Sequence, residues 1–134
     1  MGTIVVGYVP KPEGTAALQR AAEEAKLRES RLVVVNSHRG GREFDRDDAI
    51  ETEAQLEEVK SQLASSGVEF DVRQLVRGMD PAEDLVNVAS EVSADLIIIG
   101  LRRRSPVGKL ILGSNAQRVL LDAPCPVLAV KASE

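Results

Sequence analysis

Two kinds of apolar pattern alternate along the chain. Short runs rich in Val, Ile and Leu, namely TIVVGYV at 3–9, RLVVVN at 31–36, VEFDVRQLV at 68–76, ADLIIIG at 94–100 and VLAV at 127–130, predict five strands. Between them the apolar residues space out to a helical period. Leu18, Ala21, Ala22 and Ala25 form one stripe. Ile50, Ala54, Leu56, Val59 and Leu63 form a second over 47–66, closed by Gly67, and Leu85, Val88, Ala89 and Val92 form a third. The third helix opens on DPAE, which reads as a cap at Asp80, Pro81 in the first turn and Glu83 placed to complete a capping box. A short fourth helix is expected at 114–121.

Strand and helix therefore alternate four times before a last strand. Such an order predicts an α/β fold with a parallel sheet and helices on both faces, since each crossover returns right-handed over the sheet. Ligands of such sheets bind beyond the carboxyl ends of the strands, where the strand order reverses. The loops after strands one and four are the candidates.

At 134 residues and 43% apolar content the chain suits one domain, 1–134, with a single core. Aromatic residues make up only 2%, so that core is aliphatic. A net charge of −4 and the lack of stacking aromatics exclude nucleic acid as the expected partner. The apolar run at 96–101 is far short of the roughly 20 residues that span a bilayer. MGTIVV has neither a basic start nor a small-residue cleavage site, so a cytoplasmic protein without membrane contact is expected. The lone Cys125, between two prolines, reads as a packing residue, and the lone His38 has no metal-binding company.

The chemistry concentrates in IGLRRRSPVGKLILGSNA at 99–116. No acidic residue occurs between Asp95 and Asp122, whereas Arg102, Arg103, Arg104, Lys109 and Arg118 are all basic. Gly113 and Ser114, followed by Asn115, stand at a helix start, where backbone N–H groups and a hydroxyl favour an anion such as phosphate. An ordinary helix cap beside a solvated basic loop explains the same residues. A P-loop does not, because Gly108-Lys109 would need glycine at Arg103 and a hydroxyl at Leu110. GxGxxG is absent as well.

With Gly100, two residues, Arg103, nine residues, Gly113 and Ser114, the loop resembles the G-x2-G-x9-G-[ST] signature of the universal stress proteins, with one glycine replaced by Arg103. The likeness extends to GYVPKPEGTAAL, GMDPAEDLV, SADLIIIG and NAQRVLLDAPCPVLAVK. The resemblance implies a three-layer α/β/α sandwich of the adenine nucleotide alpha hydrolase-like, Rossmann-like kind. Its five-stranded parallel sheet runs in the order 3-2-1-4-5. Some members hold ATP and others do not. In those that do, an aspartate after the first strand faces the nucleotide; here Val9, next to Pro10, holds that place. By the same likeness the backbone near Val35 would meet adenine, and Gly100, Arg103, Gly113 and Ser114 would surround ribose and phosphates. Arg102, Lys109 and Asn115 would lie beside them.

Val9 and Arg103 are thus the two departures from the pattern. The arginines either replace a glycine nest by charged side chains or close the site. The function the resemblance implies is a stress-response module binding ATP or a related adenine nucleotide, with Mg2+ as a companion of the phosphates. The alternative is a member that binds no nucleotide and acts through protein contacts. One histidine and one cysteine cannot build a catalytic triad or a metal cluster, so slow ATP hydrolysis is the most expected by way of catalysis. An adenylating enzyme of the wider fold would carry a Ser/Gly-rich loop where this chain has VPKPEGT, and a flavoprotein would be expected to carry aromatics. The resemblance also implies a homodimer through the last strand, Val127 to Val130, at the sheet edge.

Overall fold

The computed structural model describes residues 2–38, 46–76, 80–101 and 113–132. In chain order the elements are β1 (Thr3–Gly7), α1 (Pro12–Leu27), β2 (Arg31–His38), α2 (Arg46–Ser66), β3 (Phe70–Val76), α3 (Pro81–Glu91), β4 (Leu96–Leu101), α4 (Ser114–Asp122) and β5 (Val127–Lys131). All strand pairs are parallel, in the order β3-β2-β1-β4-β5. The register sets Val5 between Val33 and Ile97, and Val6 between Val34 and Ile98.

The three central strands read as continuous apolar runs because both their faces are covered. Side chains alternate in direction along a strand. Ile4, Val6, Leu32, Val34, Leu96 and Ile98 accordingly meet α1 and α2, while Val5, Val33, Val35, Ile97 and Ile99 meet α3 and α4. Within 96–99 the four residues LIII serve both faces at once.

Helix ends follow local rules. Gly67 has φ +79 just after α2, the left-handed position that favours glycine. Behind α1, Glu29 takes that conformation, and the Ser30 N–H donates to the Ala25 carbonyl at 2.9 Å. Behind α3, Ser93 does the same, with Ala94 N–H to Ala89 O at 2.9 Å.

Three expectations need correction. β1 stops at Gly7, so Tyr8 and Val9 belong to the crossing loop. In α2, Leu56, Val59 and Leu63 are buried, but Ile50 is 57% exposed and Ala54 is exposed. At about 100° per residue Ile50 lies about 120° and Ala54 about 160° around the helix from Leu56, off the buried stripe. The third concerns the DPAE start. Asp80 is the N-cap of α3 in an extended conformation, with Pro81 following, but no side-chain cap bond forms. Arg118 of α4 takes both carboxylates instead, donating from Nη1 to Asp80 Oδ2 at 2.8 Å and from Nη2 to Glu83 Oε1 at 2.7 Å. Each acid thus gives one carboxylate oxygen to a charge-assisted bond with the guanidinium. Arg118 therefore brackets α4 to α3 and is withdrawn from the basic loop's charge.

Cys125 packs against the α3/α4 face, and burial, with Asp95 adding a smaller push, raises its thiol above the usual range. Among the described residues no helix is long and apolar enough to cross a membrane.

Candidate functional site

The strand order changes direction at β1: the chain steps to β2 on one side and later crosses to β4 on the other. The helices that follow these strands diverge there, leaving a crevice at the carboxyl ends.

One wall is built by backbone. After β1 the Tyr8 N–H donates to Val35 O at 2.9 Å, and its carbonyl accepts from Asn36 Nδ2 at 3.1 Å. Lys11 N–H returns to Val9 O at 2.8 Å, and α1 begins at Pro12. This fold-back needs two glycines. A Cβ on Gly14 would lie 1.7 Å from Val9 O, and one on Gly100 would lie 2.0 Å from Glu13 O. Real Cβ atoms cannot come so near a carbonyl oxygen, so glycine at these positions is what lets the head of α1 rest on the end of β4. Glu13, only 8% exposed, sits in the first turn of α1, where the helix dipole favours an acid.

The opposite wall is α4. Gly113 is its N-cap, extended at φ −69 and ψ 163, and the first intrahelical bond runs from Gln117 N–H to Gly113 O at 3.0 Å. The earlier N–H groups, from Ser114 on, have no carbonyl within the helix to meet.

Between these walls lies a cleft of about 150 Å³. Val35 and Ser37 of β2, Ala82 and Leu85 of α3, Ile99 and Gly100 of β4, and Asn115, Ala116 and Val119 of α4 line it, together with Gly7, Tyr8, Val9, Glu13, Gly14 and Pro81. Among these Glu13 is the one charged residue. Apolar walls carrying a few polar groups are the usual make-up of a small-molecule pocket.

Val9, Val35, Gly100 and Asn115 of the expected site thus come together. Gly113 and Ser114 stand at the head of α4, directly before Asn115. Pro10 turns away into a separate groove between α1 and α2, which Tyr8, Gln55, Glu58 and Val59 share. Burial first, and Glu58 second, raise the Tyr8 hydroxyl above its ordinary pKa. Arg102, Arg103 and Lys109 lie outside the described residues.

Four cleft-side residues were not anticipated: Glu13, Gly14, Ser37 and Asp84. Ser37 follows Val33 and Val35 on one face of β2, so period-two counting would have found it. Asp84 is fully buried, and its carboxylate accepts a hydrogen bond from the Ser37 hydroxyl. Its signal is a charged residue four positions before Val88, on the apolar stripe of α3.

A model of the universal stress protein family matches residues 1–131. A universal stress protein of Mycolicibacterium smegmatis is 46% identical over 128 residues, 96% of each chain. The universal stress protein structure from Archaeoglobus fulgidus superposes with a TM-score of 0.86 at 42% identity, covering 98% of this chain and 99% of the other. A structure of the universal stress protein from Archaeoglobus fulgidus in complex with dAMP gives 0.79 at 36% identity and covers 98% of both chains.

Proposed function

Because the chain belongs to the universal stress protein family, we propose that its cleft binds an adenine nucleotide and that the protein acts as a nucleotide-responsive module. The observation that carries this reading is the cleft's two-ended make-up. At the β2 end Val35, Ala82 and Leu85 offer an apolar slot for a flat base. At the other end α4 begins, and the N-terminus of a helix favours a phosphate. The dAMP complex of the 36% identical relative supports an adenine nucleotide as the guest.

Val9 works against tight binding. It is 40% exposed at the cleft and offers no hydrogen bond where nucleotide-holding members resembling this chain carry an aspartate. Its loss removes a charged hydrogen bond worth about 1.5–3 kcal/mol, but also a repulsion toward phosphate. Mg2+ would arrive with the phosphates of ATP. Among the described residues no group of three His, Cys, Asp or Glu side chains is placed to hold it by protein ligands alone.

The experiment is mass spectrometry of small molecules released on denaturing the purified protein, followed by calorimetric titration with AMP and ATP. Adenine nucleotide in the extract, or saturable binding of either one, supports the reading. An empty extract and no heat at millimolar nucleotide would establish a member that works through protein contacts.

We further propose that two chains pair through β5. This strand bonds to β4 on one side and lies at the sheet edge, with Ala129 and Lys131 exposed. Such an edge invites another strand unless covered. A two-fold pairing would cover it.

A further inference from the structure

Resting on the adenine-nucleotide reading, we infer that Ser37, with its hydroxyl held by Asp84, is a specificity-determining residue that selects a base carrying an amino group over one carrying a keto oxygen. Ser37 lies on the same face of β2 as Val33 and Val35, one step closer to the mouth, and lines the cleft. Its hydroxyl donates to Asp84 Oδ2. A carboxylate only accepts, so the single Ser37 proton is committed to Asp84. What remains toward the cleft is the oxygen's acceptor capacity. A ligand atom meeting Ser37 must therefore bring an N–H or O–H.

The pair is not explained by packing. Asp84 has no exposed surface, and among the described residues its second oxygen, Oδ1, has no hydrogen-bond partner. Leaving a buried acceptor unmatched destabilises the folded chain. An aliphatic side chain in that place would fill the same core without the cost, so packing alone does not account for a carboxylate beside Ser37.

Position favours the base over the phosphate at this point. β2 and β4 flank β1, so the Ser37 end and the α4 end of the cleft stand about two strand spacings apart, roughly 10 Å. A phosphate at the head of α4 leaves the base at β2, between Val35 and Leu85. The amino group of adenine would then supply the hydrogen that Ser37 lacks. The keto oxygen of hypoxanthine would set lone pair against lone pair.

The test compares AMP with IMP by calorimetric titration of the intact protein. The wild type should bind AMP about tenfold more tightly than IMP. Ser37→Ala should bring the ratio close to one, mainly by weakening AMP, whereas Ser37→Thr, which keeps the hydroxyl, should preserve it. If Ser37→Ala does not fold because Asp84 is left without its donor, the double variant Ser37→Ala/Asp84→Leu removes both polar partners and should show the same loss of preference. A wild type that binds AMP and IMP equally, or a preference unchanged in the alanine variant or the double variant, overturns the assignment while leaving nucleotide binding intact. Binding of neither nucleotide overturns both.

Discussion

Helices α1 and α4 face each other across one cleft and are fastened in opposite ways. α1 buries Glu13, Gly14, Ala17, Leu18, Ala21 and Ala25, and its first turn meets the loop after β1 and the end of β4 backbone to backbone. α4 buries Val119 alone, packs mainly on α3, and is held from outside by the Arg118 fork. The first wall is a fixed part of the core. The second is anchored in the core by one buried side chain, and it carries the helix start that would meet an anion. On the proposed function, α1 would define the slot and α4 would present the helix start to the guest.

The sharpest way to break this contrast is to put a side chain at Gly14. Gly14→Val should cost about 3 kcal/mol or more, because the new Cβ meets a carbonyl that has nowhere to go. Val119→Ala, which removes the one buried anchor of α4, should cost about 2 kcal/mol and keep the fold. Urea unfolding of both variants checks the ranking, and equal losses would remove the distinction between the walls.

The edge strand is the next test, because it too leans on α1. Leu128 and Val130 pack toward the α1 face, so charges there would loosen α1 as well as any dimer. Ala129 is exposed and spares that packing. Ala129→Lys should turn a dimer of 14.4 kDa chains into folded monomers by light scattering, since the lysines would meet near the two-fold axis. A wild-type mass near that of one chain ends the dimer proposal.

A smaller effect is expected at the mouth. Val9→Asp with Arg103→Gly, which restores the family pattern, should tighten ATP about tenfold if the arginine obstructs. Weaker binding would make Arg103 a phosphate ligand. The smallest effect belongs to Arg118→Ala, about 0.5–1 kcal/mol, since Arg118 and Glu83 are each more than 40% exposed and solvent screens the pair. That loss should shrink further in high salt.

The architecture was legible because it rests on patterns that neighbours in sequence carry. Continuous aliphatic runs such as LIII at 96–99 can only be buried on both faces, and Gly67 marked a helix end through its own backbone freedom. Val35, Gly100 and Asn115 reached the cleft through strand-end position and family likeness together. What the sequence withheld depends on residues distant along the chain. Asp80 and Glu83 spell a capping box until Arg118 arrives from 38 and 35 positions away. Asp84 looks like a surface acid of a first turn until Ser37, 47 positions earlier, lies against it. Gly14 looks like a helix weakness until Val9 folds back over it.

The central claim is that the cleft between α1 and α4 holds an adenine nucleotide, and the direct measurement is a titration with AMP followed at individual backbone amides. Saturable shifts are expected at Val35 and Ser37, at Gly100 and at Asn115 and Ala116, with Ala17 to Ala25 of α1 nearly still. Unmoved amides at millimolar AMP, or shifts confined to the groove between α1 and α2, would contradict it.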